Sequence, residues 1–183
     1  MEPYRGFPEF MRSAAILLRQ RPQLHVVVVG ADRVAYGARL PEGQSYKQKL
    51  LEELSDIDLS RLHFTGLLPY GSYLRVLQAS SAHVYLTVPF VLSWSMLEAM
   101  SAGCLLVASD TAPVREVVTD GKNGLLVDFF SPEAIASRVS EALNRPEMMV
   151  PIRRAARDTI IERYAQRRLL AQHVALLTGG SLA

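Results

Sequence analysis

The chain of 183 residues is short of several things, and each shortage removes a class of function. A single cysteine, Cys104, cannot form an internal disulfide, so no disulfide framework holds this fold. Set in an apolar segment, it reads as core filler in a protein of a reducing compartment. The four histidines are scattered without metal-ligand spacing, which argues against structural zinc. No apolar run approaches the roughly 18 residues of a membrane span, and the N-terminus lacks a signal-peptide pattern. The expected location is therefore cytoplasmic. Net charge is only +2, nearly all of the basic excess is arginine spread along helices, and nucleic acid is not an expected partner. Internal repeats and low-complexity linkers are absent.

What remains is an ordinary globular composition, 49% hydrophobic and 21% charged, long enough for one domain with a substantial core. Residues 7–20 carry apolar side chains at helical spacing, with Pro8 in the first turn and Arg21-Pro22 as the stop. LHVVVVG (24–30) is a continuous β-branched run closing on glycine, the pattern of a strand buried on both faces of a parallel sheet. Residues 31–46 read as a long loop, 47–54 as a short helix, and 62–66 as a second strand. A helix over 69–80 and a strand over 83–88 follow, then a short helix carrying Glu98. Strands at 104–109 and 123–127 flank a short helix within 113–121. Ser131-Pro132-Glu133 opens another helix, with a capping serine, proline in the first turn and an acid at the positive end of the dipole. Pro146 is expected to stop it. Helices over 151–163 and 166–177 finish the chain, and TGGSLA reads as a frayed tail. Strands alternating with helices in this way imply an α/β, doubly wound parallel sheet.

The site is expected in Thr87–Ala108, where a strand ends, a loop follows and a helix begins. Ligands of parallel α/β proteins bind at such strand ends and at the helix N-termini that follow them. Glu98 either touches a ligand there or closes a capping box with Ser95. The motifs RGFPEFM (5–11), HFTGLLP (63–69), SMLEAMSAGCLLVAS (95–109), APVREVV (112–118) and DGKNGLLVD (120–128) stand in register. Together they resemble the C-terminal, donor-binding domain of a retaining GT-B glycosyltransferase of family 4 (glycosyl transferases group 1). The resemblance runs from about residue 4 to 177 and implies a Rossmann-like fold binding a nucleoside-diphosphate sugar, UDP- or GDP-linked, with no cofactor or metal.

By that resemblance Glu98 holds the ribose hydroxyls, since one carboxylate can accept from two vicinal hydroxyls. Arg5 takes the place of a phosphate-binding lysine, its alternative being an exposed terminal arginine. The backbone N–H groups of Ser93, Trp94, Ser95 and Met96 open toward the diphosphate. Gly66, Leu67 and Leu68 line the base pocket, and Tyr70 either covers it or merely starts a helix. Trp94 either packs on the sugar or is a buried aromatic. Glu116 matches a family glutamate, with a structural role as the alternative. No Asp-x-Asp metal motif is expected anywhere in the chain, and Asp110 reads as a turn residue.

Two departures from the family stand out. The position eight residues before Glu98, where the family has a second glutamate beside the donor sugar, is Phe90, which can neither hydrogen-bond a sugar hydroxyl nor stabilise positive charge developing at the anomeric carbon. The family's first strand and its acceptor domain would precede Met1. A partner, either a preceding N-terminal domain or a second chain, is expected to fill that gap, to bind the acceptor (glycan, lipid or small molecule) and to contact the inner membrane face. Residues 164–183 are expected to cross onto it. This chain alone is expected to be inactive. The rival readings are an inactive nucleotide-binding module and a GT-B epimerase of nucleotide sugars. The epimerase needs clustered acid–base carboxylates and histidines that the sequence does not group.

Overall fold

The structure, a computed structural model, describes residues 1–179. The last four residues of the expected frayed tail, 180–183, lie outside the described residues. A 3₁₀ turn, Pro3–Arg5, leads through Gly6 into α1 (Phe7–Gln20). Then follow β1 (Val26–Val29), α2 (Tyr46–Glu53), β2 (Leu62–Gly66), α3 (Tyr70–Ala79) and β3 (His83–Tyr85). The second half holds α4 (Trp94–Ser101), β4 (Leu106–Ser109), α5 (Ala112–Arg115) and β5 (Leu125–Val127), then α6 (Pro132–Asn144), α7 (Pro146–Tyr164) and α8 (Gln166–Leu177).

All pairing is parallel, and the helices cover both faces, as the alternating pattern requires. The strands do not form one continuous sheet. β1 pairs with β2, and β3-β4-β5 form a separate three-stranded sheet. β4, buried along its whole length, is the central strand of the larger sheet. On one face α1 and α6 bury Leu17, Ile135, Val139 and Ala142 against Leu105, Val107 and Leu125. On the other, α4 and α7 bury Met96, Met100, Ala156 and Ile160 against Tyr85, Leu106 and Ala108. A third cluster packs Met11, Ala14 and Leu18 of α1 on Val26 and Leu62.

Local chemistry accounts for the element ends. Ser131 Oγ accepts from Ala134 N–H at 3.1 Å, with Pro132 in the first turn of α6. At the C-terminus the expectation is corrected. Pro146 does stop α6, but it also opens α7 as its first residue, and Pro151 lies inside that helix instead of beginning it. Proline suits the first turn, where its missing N–H has no helical acceptor to lose. At Pro151 the helix forgoes the single bond to the Glu147 carbonyl. None of the residues of α8 is buried, and Leu170, Val174, Leu176 and Leu177 are exposed.

His83, at the head of β3, has its Nε2 buried without a hydrogen-bond partner. Burial pushes its pKa down to about 4 from 6.5. Between those values the unfolded chain binds a proton that the folded chain refuses, so stability falls as pH drops from 6.5 toward 4. Urea unfolding of His83→Gln should show a flatter stability profile across this window than the unsubstituted chain. Equal slopes would contradict the neutral, buried imidazole.

Candidate functional site

Residues 1–5 cross the carboxyl ends of β1 and β3. The Met1 ammonium donates to the Ala31 and Arg33 carbonyls, and Val88 N–H donates to the Tyr4 carbonyl at 3.1 Å. The buried Glu2 accepts from Ala35, Tyr36 and Gly37 N–H with one carboxylate oxygen, which ties the long loop to the same end. Although burial opposes its charge, these three backbone donors lower its pKa on balance. Gly6, at φ 64°, turns the chain into α1 while packed against Leu86 and Phe129.

This turn delivers Arg5 to the end of β3. Its Nη1 lies 3.3 Å from Tyr85 Oη, 3.2 Å from Thr87 Oγ1 and 3.1 Å from the Val91 carbonyl. The guanidinium also sits 5.4 Å from the centre of the Tyr36 ring and 5.5 Å from that of Phe90. Among the described residues no carboxylate pairs with it. A half-buried, anchored cation with its Nε and Nη2 unengaged is suited to grip an anion. The alternative of a free terminal arginine is thereby corrected.

Tyr85 links Arg5 to α4. Its hydroxyl accepts from Ser93 N–H at 2.8 Å while facing Arg5. Ser93 is the N-cap of α4: its Oγ accepts from Ser95 N–H at 3.4 Å and lies 3.2 Å from Ser95 Oγ. Of the four backbone donors named at this helix start, Ser93's is taken by Tyr85, and Met96's by the Ser93 carbonyl at 3.2 Å. That leaves Trp94 and the long-bonded Ser95 to face an incoming anion. The Met96 side chain is wholly in the core. Trp94 is 80% exposed, which corrects the buried-aromatic alternative.

The capping-box alternative for Glu98 also fails, because the cap is Ser93, two residues before Ser95. Glu98 instead faces α3. Its negative charge raises the pKa of Tyr70, and burial followed by the Glu98 charge pushes Tyr73 up. Tyr73 Oη is buried and makes no hydrogen bond of normal geometry. Tyr70 is exposed and directly follows the Gly66–Pro69 turn. The structure thus brings Glu98 to the start of α3, beside the segment expected to line a base pocket. In that segment Gly66 adopts φ 67° with open space around it, and Leu67 is 79% exposed.

Phe90 is drawn into an aromatic group with Tyr36 and Tyr4, at ring-centre distances of 5.2 and 6.4 Å. Glu116 is exposed at the end of α5; its N–H donates to the Val114 carbonyl, its own carbonyl accepts from Arg163, and among the described residues its carboxylate has no partner. Asp110 pairs with Arg115. The sequence does contain one Asp-x-Asp spacing, Asp56-Ile57-Asp58, which the motif reading passed over. It lies before β2, where Asp56 pairs with Arg19. Hydrogen bonds from Ser60 and Arg61 hold Asp58 down to about 2. Among the described residues no three His, Cys, Asp or Glu side chains group as metal ligands, and no helix is long and apolar enough to cross a membrane.

Tyr85 and Thr87 were missed by motif reading, as were Tyr36, Glu2 and Tyr73. A signal for the first two exists: His83, Tyr85 and Thr87 alternate along HVYLT, which puts their polar atoms on one face of the strand.

Comparison with known proteins places this geometry in context. The family described as "Glycosyl transferases group 1" matches residues 1–159. Over 80 residues the chain is 39% identical to alpha-maltose-1-phosphate synthase of Mycolicibacterium smegmatis, covering 43% of this chain and 21% of that protein. The crystal structure of Anabaena HepE in complex with UDP-glucose superposes with a TM-score of 0.81 at 18% identity, covering 98% of this chain and 46% of that one. The C-terminal domain of a glycosyl transferase group 1 family protein, LpcC, from Francisella tularensis gives 0.75 at 21% identity, over 90% of this chain and 82% of that one. At these identities the structural likeness establishes the fold. The chain covers about half the length of HepE, and its matched segment of 80 residues covers about a fifth of the curated relative.

Proposed function

The chain belongs to the glycosyl transferases group 1 family, and from that premise we propose that it is the donor-binding half of a retaining, family 4 glycosyltransferase. It binds a nucleoside-diphosphate sugar, and the complete enzyme transfers the hexosyl group to an acceptor hydroxyl. One observation carries this reading: Tyr85 Oη joins an uncompensated Arg5 to the N-terminus of α4 at the carboxyl ends of parallel strands. Arg5 and the Trp94 and Ser95 N–H groups hold the diphosphate and stabilise its charge as it leaves. Glu98 accepts from the ribose hydroxyls, and Gly66, Leu67, Leu68 and Tyr70 frame the base. Because HepE is described with UDP-glucose, UDP is the first nucleotide to test, ahead of GDP. Acceptor binding belongs to the remainder of the enzyme, onto which α8 is proposed to dock through its exposed apolar residues.

The test is a cycle of calorimetric titrations. UDP and 2′-deoxy-UDP are each titrated into the chain and into Glu98→Ala. Loss of either partner should weaken binding about tenfold, the worth of one charge-assisted hydrogen bond. Losing both should cost no more than losing one. Additive losses would exclude the ribose role.

Phe90, packed at a tilt against Tyr36 and facing Arg5, favours one second reading, a module that binds the nucleotide without engaging its sugar. In that case UDP-glucose binds no more tightly than UDP.

A further inference from the structure

The aromatic side chains around Arg5 bear on which kind of sugar the diphosphate carries, an inference that rests on the donor-site reading above. The rings of Tyr36 and Phe90 stand 5.2 Å apart at a tilt of 57°, and Tyr4 meets Phe90 edge-on at 6.4 Å. The Arg5 guanidinium lies 5.4 Å from the centre of the first ring and 5.5 Å from that of the second. The two rings come from separate segments, the long loop after β1 and the loop between β3 and α4. Both loops are pinned by the same short stretch of chain. Glu2 accepts from Ala35, Tyr36 and Gly37 N–H at 2.9, 2.8 and 3.2 Å, and the Tyr4 ring packs on Gly37, where an added Cβ would lie 3.2 Å from Tyr4 Cδ2. Two residues before Phe90, Val88 N–H donates to the Tyr4 carbonyl. Yet the rings are not core, since Tyr36 is 58% and Phe90 36% exposed. An aromatic pair held by polar anchors and left open beside a cation is a preorganised contact surface.

The sugar of a nucleoside diphosphate is joined to its terminal phosphate through one ester oxygen. A phosphate gripped by Arg5 therefore sets that sugar down beside the same two rings. These rings offer little to a hydroxyl. Phe90 has no polar atom, and Tyr36 brings one hydroxyl, at the end of its ring. The neighbouring hydroxyls are already engaged: Thr87 Oγ1 lies 3.2 Å from Arg5 Nη1 and donates to the Val88 carbonyl, and Tyr85 Oη accepts from Ser93 N–H. A sugar hydroxyl pressed on Phe90 loses its water without gaining a partner, whereas C–H groups pack on an aromatic ring favourably. We propose that Tyr36 and Phe90 form a sugar-facing aromatic wall and that the donor carries a deoxyhexose, its methyl or methylene edge on Phe90. Phe90 then selects the sugar, Tyr36 packs on its C–H groups, and Glu2 is a positioning residue that holds Tyr36 in place.

Calorimetric titration of the 183-residue chain with UDP, UDP-glucose and the 2-, 3-, 4- and 6-deoxy forms of UDP-glucose tests this. At least one deoxy form should bind about ten- to hundredfold more tightly than UDP-glucose, the discrimination an apolar surface makes against one added hydroxyl. In Phe90→Gln, whose amide can bond a hydroxyl, that preference should vanish or invert. Phe90→Leu, which stays apolar, should keep most of it. UDP, measured on each protein, is the reference for the diphosphate site. The proposal is overturned if UDP binds but no deoxy form is favoured over UDP-glucose, or if the preference is undiminished in Phe90→Gln. It is also overturned if Phe90→Gln weakens UDP and every UDP-sugar equally, which would put the rings on the nucleotide. In all three results UDP still binds the unsubstituted chain, so the donor site stands without the wall. A folded chain silent to UDP would remove the donor site and the wall together.

Discussion

Arg5→Ala should weaken UDP binding by one to two orders of magnitude, about 1.5–3 kcal/mol, the worth of hydrogen bonds to a charged group. The chain offers a built-in reporter for this. Its single tryptophan, Trp94, is exposed at the first position of α4, beside the proposed diphosphate site. Quenching or enhancement of its fluorescence during a UDP titration gives the dissociation constant directly. The effect should be large because, among the described residues, no second cation is bonded to these anchors: Tyr85, Thr87 and the Val91 carbonyl hold Arg5. Arg5→Lys should recover only part of the loss. An ammonium is a compact point charge that cannot keep those anchors and still present a planar fork to two phosphate oxygens. An unchanged affinity in Arg5→Ala would remove Arg5 from the site.

Gly6→Ala should destabilise the fold by about 3 kcal/mol, combining the cost of a left-handed backbone with that of overpacking. Gly6 sits at φ 64°, and an added Cβ would lie 2.4 Å from Leu86 Cβ and 3.0 Å from Phe129 Cε2. Both neighbours are buried, and Leu86 Cβ is fixed to the backbone just beyond β3, so it cannot swing aside. Gly121→Ala separates the two causes, since Gly121 has φ 68° but open space around it. It should lose only the backbone share, about 1–2 kcal/mol. Urea midpoints of the two variants against the unsubstituted chain measure the difference. Equal losses would mean that the contact with Leu86 relaxes freely. Because Gly6 follows Arg5, its substitution should also lower UDP affinity, whereas that of Gly121 should not.

These two residues illustrate what could and could not be read from the chain. The strands and most helices follow from local pattern: the valine run of β1, the helical spacing of α1, and the cap and proline of α6. Arg5 and Glu98 stand in motifs that mark them as candidates. Their partners are another matter. Arg5 reaches Tyr85 and Thr87 across some eighty positions of sequence, and no local pattern encodes such a contact. The Ser95–Glu98 spacing fits a capping box, yet Ser93 takes the cap, because the choice between two nearby serines is settled by where Tyr85 Oη lies. Pro146 carries both a stop signal for one helix and a start signal for the next, and pattern reading used only the first. The division of the strands into two sheets is not encoded locally, because each strand looks complete by itself; only the resemblance, with the gap it implied, pointed to it.

The central claim is that a nucleoside diphosphate lies between Arg5 and the start of α4, with its base toward Gly66–Leu68. Backbone and arginine-side-chain NMR shifts of the ¹⁵N-labelled chain during UDP titration test it most directly. The account predicts saturable shifts centred on Gly66, Leu67, Trp94, Ser95 and the Arg5 Nε–H. Shifts centred elsewhere, or none at millimolar UDP on a folded chain, would contradict it.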